Sequence, residues 1–117
     1  MTRHYEQLLD ETRGQYQIIV DKTWEDLHPK QCFDDSVTDI QELCTKIDAG
    51  YYDWFMLRTR VLFEGVELAE EYLGGCLYED ARQVLEDGTA EDQIAQALHT
   101  AAAQAAVMKK KFQELVV

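Results

Sequence analysis

The sequence predicts one α+β domain, in which helices at both ends of the chain pack on a central antiparallel β-hairpin. Apolar side chains recur every three or four residues near both termini, as on one face of a helix, and two apolar segments flank Glu64-Gly65 as in a hairpin. An all-α bundle is the alternative, because residues 51–73 also fit a long helix. With 46% hydrophobic residues, the 117-residue chain can form one core, so residues 1–117 are expected to be a single domain.

The first predicted helix spans residues 3–27. Its apolar residues are mostly three or four positions apart, and Pro29, the only proline, forbids its continuation. The run from Tyr16 to Val20 could be a strand by itself, and Gly14 weakens the middle of the segment. The helical repeat nevertheless continues to Leu27, which favours a helix.

A second helix is predicted between Ser36, a candidate N-cap, and Gly50, which stands where a left-handed C-terminal cap would fall. Its apolar residues form one stripe, as expected for a helix that packs on a core. These residues are Val37, Ile40, Leu43, Cys44 and Ile47.

The central hairpin is predicted from the way its residues pair if Glu64-Gly65 is a two-residue turn. One face is then mostly apolar, and the other carries an ion pair between Arg58 and Glu71. A helix over the same residues would place Gly65 in its middle, so the hairpin is preferred. The pairs on the apolar face are Phe63 with Val66, Val61 with Leu68, Thr59 with Glu70 and Leu57 with Tyr72.

Two further helices complete the prediction. Gly74-Gly75 should break the chain, and a short helix should follow from Tyr78 to Leu85. A long alanine-rich helix should begin at Thr89 and continue to the C-terminus. Its apolar stripe consists of Ile94, Leu98, Ala101, Ala105, Met108, Phe112 and Leu115.

The charge of the chain indicates which partners to expect. A net charge of −12 disfavours direct binding to nucleic acid or to an anionic membrane, because phosphates would be repelled. A basic protein surface, such as that of a nucleic-acid-binding protein, is the expected partner. Neither a signal peptide nor a membrane span is recognisable, so a cytoplasmic location is expected.

Pairs of adjacent carboxylates are the strongest functional lead. Such doublets can imitate the phosphates of nucleic acid and so occupy the basic groove of a protein that binds it. Some doublets are explained by helix N-termini, where acids stabilise the dipole. The candidate partner-binding residues are Glu25, Asp26, Glu70, Glu71, Glu86 and Asp87.

Catalytic and cofactor motifs are not recognisable. The three cysteines lack the spacing of a disulfide framework or a zinc site, and His28 with Cys32 is the only spacing that could share a metal. Cys76, directly after two glycines, is the nearest candidate for a nucleophile, but no histidine lies near it in sequence. We therefore expect a protein without enzymatic activity, cofactor or metal.

Three segments around the hairpin carry a resemblance to a known group of proteins. Residues 54–61, 64–68 and 72–78 resemble a segment of short uncharacterised accessory proteins of tailed phages. The resemblance implies a phage or mobile-element origin, where small acidic proteins bind and inhibit host or defence proteins. It implies no functional residues. Two alternatives remain: a self-associating assembly protein that buries the stripe of residues 94–115 in a homodimer, and a small enzyme that uses Cys76.

Overall fold

The described part of the chain folds into one four-stranded antiparallel sheet and two α-helices. The computed structural model describes residues 3–36 and 38–115. The strands follow one another in the sheet in chain order, β1 (Glu6–Arg13), β2 (Tyr16–Trp24), β3 (Asp53–Phe63) and β4 (Val66–Tyr78). The α-helices are α1 (Ile40–Asp48) and α2 (Thr89–Leu115), and two short 3-10 helices are Pro29–Gln31 and Ala81–Leu85.

The predicted fold class is wrong, because the first third of the chain is not helical. Residues 3–27 form the β1–β2 hairpin, so helices do not stand at both ends, and the all-α alternative fails with them. Gly14 lies in the turn with a φ of +60°, which glycine adopts readily. In β2, Ile18 and Val20 point to the core and Ile19 to the other face, which is the period of a strand. Strand and helix occupy similar shares of the chain, so it is not helix-rich either.

The hairpin around Glu64-Gly65 is confirmed, although its register changes after two pairs. Both turn residues have positive φ, as in a type I′ turn, and Phe63 faces Val66 as predicted. A β-bulge at Leu68 then adds one residue, so that Val61 faces Ala69 instead of Leu68. Both residues of the bulge are thereby buried.

The shifted register also corrects the ion pair predicted across the hairpin. Arg58 faces Tyr72 rather than Glu71, and its guanidinium binds Asp21 of β2. Thr59 faces Glu71, and Leu57 faces Leu73. Gly74-Gly75 do not break the chain, because β4 continues to Tyr78, and the predicted helix from Tyr78 is reduced to the 3-10 turn Ala81–Leu85.

Helix α2 packs on one face of the sheet and closes the core. Its residues Ile94, Ala97 and Ala101 are buried, and they belong to the same cluster as Leu57 and Val61 of β3. Inside this interface the Thr59 hydroxyl donates to the side-chain oxygen of Gln93 at 2.5 Å. The predicted C-terminal helix is therefore confirmed, and a buried hydrogen bond fixes where it lies on the sheet.

Helix α1 belongs to a long connection between β2 and β3. It begins at Ile40, and the side chain of Asp39, not Ser36, caps it by accepting from the Glu42 amide. Val37, the first residue of the predicted stripe, lies outside the described residues. The connection is held to β4 by Glu25, whose carboxylate accepts from the Gly75 amide at 2.7 Å.

Candidate binding surfaces

Two acidic segments of the chain meet at one end of the sheet. The first, residues 25–52, connects the end of β2 to the start of β3, and the second, residues 79–92, follows the end of β4. The strand register places these strand ends side by side, with Asp53 opposite Tyr78. The Asp53 carboxylate also accepts from the Ala81 amide at 2.9 Å. We call these two segments together the acidic end.

The acidic end holds most of the net charge of the protein. Its two segments contain thirteen carboxylates against three lysines and arginines, a net charge of −10 out of −12, and Arg3 and Arg13 from outside the segments neutralise Asp26 and Glu91. Twelve of these thirteen residues are exposed. The molecule measures 63 Å along its longest axis, so the charge is concentrated in one part of an elongated body.

Three of the six candidate carboxylates from the sequence lie in the acidic end and bind groups of the same chain. Glu25 accepts from the Gly75 and Leu27 amides. The Asp26 carboxylate pairs with the Arg3 guanidinium, and this contact lowers the pKa of Asp26. The Asp87 carboxylate accepts from the Tyr78 hydroxyl, which lowers its pKa, and from the Thr89 amide. All three carboxylates therefore support the local structure.

The other three candidates are distributed over different surfaces. Glu86 is exposed in the acidic end. Glu70 and Glu71 are neighbours in β4 and therefore point to opposite faces of the sheet. Glu70 lies opposite Arg60 in the register, and Glu71 accepts a hydrogen bond from Thr100 of α2. The Glu70-Glu71 doublet thus does not present two carboxylates to the same partner.

An open apolar groove lies away from the acidic end, between the two hairpin turns and the second half of α2. Its volume is about 830 Å³. Seven apolar residues and four polar residues line it. The polar residues are Gln15, Glu64, Lys109 and Gln113. We call this site the apolar groove, and its apolar lining is Tyr16, Phe63, Val66, Leu68, Ala105, Met108 and Phe112.

The last turns of α2 are exposed next to this groove. The core covers the predicted apolar stripe as far as Met108, whereas Phe112 is 58% and Leu115 is 76% exposed. Three consecutive lysines, Lys109 to Lys111, lie in the same turns, and they are half of the six lysines in the chain. We call residues 105–115 the α2 tip. It is both apolar and cationic, in contrast to the acidic end.

Cys76 has the environment of a core residue rather than that of a nucleophile. It is 5% exposed, and its thiol lies 3.5 Å from the Leu73 carbonyl oxygen. Burial raises the pKa of this thiol to about 11. The thiolate is the nucleophilic form of cysteine, and a buried thiol with this pKa is protonated at neutral pH.

His28 and Cys44, a pair that was not predicted from the sequence, are in contact in the acidic end. The His28 Nε2 atom is 3.7 Å from the Cys44 sulfur, and His28 Nδ1 accepts from the Lys30 amide. This amide places the imidazole proton on Nε2, so the ring can donate to the sulfur but cannot take its proton. The pair is therefore not arranged as a nucleophile and its base.

On the sheet face opposite α2, a nearly buried ion pair joins two strands. Asp21 of β2 accepts two hydrogen bonds from the Arg58 guanidinium, at 2.7 and 2.8 Å. The aromatic ring of Tyr5 covers the guanidinium at 3.5 Å. This bidentate pair holds the pKa of Arg58 above its usual range. Arg60 lies beside the pair, 3.7 Å from the Asp21 carboxylate, and its buried Nε has no hydrogen-bond partner among the described residues.

Residues 3–36 and 38–115 contain neither a metal-binding cluster nor a membrane-spanning helix. No three side chains of His, Cys, Asp or Glu come together there in a way that could hold a metal ion. Neither α1 nor α2 combines the length and the apolar character that crossing a membrane requires. Comparison of the chain with protein-family models, with curated proteins and with solved structures gives no match.

Proposed function

We propose that this chain is a non-enzymatic accessory protein, of phage or mobile-element origin, that acts in the cytoplasm by binding a basic protein through its acidic end. The proposal rests on the convergence of residues 25–52 and 79–92, which brings thirteen carboxylates and only three lysines and arginines of these segments to one end of the sheet. A host or defence protein that binds nucleic acid offers a basic surface of the complementary kind. Occupying that surface would inhibit it.

Exposed carboxylates that lack a partner among the described residues support a binding role for the acidic end. Asp26 and Glu91 are paired with Arg3 and Arg13, so they are less available. Glu79 and Glu86 are exposed, and no hydrogen bond or salt bridge within the described part of the chain engages their side chains. These two carboxylates are therefore available to a partner.

The experiment is a displacement assay with a defined basic partner. A purified bacterial nucleoid protein is bound to a short fluorescent duplex, and the chain is titrated in while the anisotropy of the duplex is followed. We expect the wild-type chain to release the duplex, and we expect the release to weaken as salt is raised, because the contact is between exposed charges.

A pair of matched variants locates the contact. Glu79→Gln with Glu86→Gln removes two charges from the acidic end, and Glu70→Gln with Glu114→Gln removes two charges elsewhere. Exposed ion pairs contribute about 0.2–1 kcal/mol each, so the first variant should need about two to thirty times more protein for half release. The second should behave like the wild type. Equal weakening of both variants, or no release by the wild type, contradicts the proposal.

A further inference from the structure

The apolar groove and the α2 tip form one continuous apolar surface, because Ala105, Met108 and Phe112 of the tip line the groove. Four large hydrophobic side chains there are between 40% and 76% exposed. With ~150–250 Å² for a whole aromatic side chain and less for Val and Leu, they expose roughly 400 Å². These side chains are Phe63, Val66, Phe112 and Leu115.

The last turns of α2 lack the support that a helix of this length usually has. Residues 109–115 are all exposed, although they include Phe112 and Leu115. A short helical segment is marginal in water, and most helices in proteins are stabilised by packing of an apolar face. The segment therefore presents an apolar ridge next to the concave apolar groove.

We propose that the occupant of the apolar groove is the α2 tip of a second copy of this chain, in a two-fold symmetric dimer. A two-fold contact requires a surface that is complementary to itself. The α2 tip and the apolar groove meet this requirement, because each copy can place its Phe112 and Leu115 side chains in the groove of the other. The proposal concerns a different surface from the acidic end and does not depend on the proposed function.

The charges at the groove are complementary to those of a second copy. Lys109 lines the groove from α2, and Glu64 lines it from the β3–β4 turn. Glu67 lies opposite Leu62 in the register and points to the other face of the sheet, so it takes no part. Two-fold pairing can bring Lys109 of each copy towards Glu64 of the other, which favours this partner and fixes its orientation.

The size of the surface sets the expected strength of the dimer. If each copy buries its apolar patch and the charged rim, the contact removes on the order of 1,000 Å² from water, which is near the lower limit for a specific interface. A dissociation constant of about 1–100 µM is expected for an interface of this size. The dimer should therefore form and dissociate within an accessible concentration range.

Light scattering and sedimentation of the purified full chain over a wide concentration range test the proposal. The mass should rise from 13.6 kDa towards twice that value. Phe112→Glu should weaken the dimer at least tenfold, whereas Tyr51→Glu, which places the same charge at another exposed aromatic residue, should leave it unchanged. Circular dichroism confirms that both variants fold.

A charge exchange provides the decisive control. Lys109→Glu and Glu64→Lys should each weaken the dimer, and an equimolar mixture of the two variants should regain it. A wild type that stays at 13.6 kDa, a Phe112→Glu variant that dimerises normally, or a mixture without recovery overturns the proposal. Binding of a fluorescent fatty acid by a monomeric wild type would overturn it in favour of an amphiphile in the groove.

Discussion

Replacing Thr59 by Val tests how the long helix α2 is held on the sheet. The Thr59 hydroxyl is fully buried and donates at 2.5 Å to the side-chain oxygen of Gln93, which is 6% exposed. Valine keeps the shape of threonine but removes the donor, so the Gln93 oxygen is left inside the core without a partner. Such an unsatisfied group costs about 1–3 kcal/mol. Gln93→Leu should cost a similar amount, because it leaves the hydroxyl unsatisfied.

The double variant separates this explanation from a simple loss of packing. With Thr59→Val and Gln93→Leu together, both side-chain partners of the hydrogen bond are removed, and only the long contact of 3.5 Å between the Gln93 amide and the Leu57 carbonyl oxygen is lost besides. The free energy of unfolding should therefore lie within about 1 kcal/mol of the wild type. Urea unfolding followed by circular dichroism gives the three values. If the double variant loses as much as the two single variants together, the hydrogen bond does not couple them and the reasoning is wrong.

Further predictions concern the ion pair on the open sheet face and the buried thiol. Asp21→Ala leaves Arg58 nearly buried without its partner and should lower the free energy of unfolding by about 3 kcal/mol, whereas Glu6→Ala, at an exposed pair, should cost less than about 1 kcal/mol. Equal losses in urea unfolding would contradict the role of burial. The pKa of Cys76 is raised from 9.0 to about 11, so the folded chain keeps a proton that the unfolded chain loses. Stability should therefore fall from pH 9 to pH 11, and thermal unfolding of Cys76→Ala should show a shallower decline. With iodoacetamide at neutral pH, Cys32 should react and Cys76 should not, as mass spectrometry can verify.

Local sequence signals predicted the parts of the fold that local interactions decide. The β3–β4 turn follows from Glu64-Gly65 and its flanking apolar residues, and the beginning of α2 follows from the residues around Thr89. The register beyond the turn could not be predicted, because the bulge at Leu68 depends on burying Leu68 and Ala69 together under α2. Spacing within the hairpin alone does not contain that information.

Residues 3–27 were misassigned because two periods fit the same side chains. Apolar positions three and four apart suit a helix, but Ile18 and Val20 also alternate as in a strand, and β2 has a neighbour on each side that completes its hydrogen bonds. The partner strand β3 lies far along the chain. The preference for a strand therefore came from tertiary pairing and not from the segment itself.

The candidate surfaces were only partly visible in the sequence. The carboxylate doublets could be read directly, but the meeting of residues 25–52 and 79–92 depends on strand pairing between Asp53 and Tyr78. Likewise, the stripe of α2 was predicted as a whole, whereas the sheet covers Ile94 and Ala101 and leaves Phe112 exposed. Which half of a stripe stays open depends on where the sheet ends.

The two edge strands, β1 and β4, limit how copies of this chain can assemble. An edge strand offers unpaired backbone groups that can recruit another strand and start open-ended fibrous growth. Here β1 carries Glu6, Asp10 and Glu11, and β4 carries Glu67, Glu70 and Glu71. Joining either edge to itself or to the other would bring these carboxylates together, so like charges oppose growth of the sheet from copy to copy. In the proposed dimer, association through the apolar groove and the α2 tip stops at two copies, because a two-fold contact uses up its own binding surface.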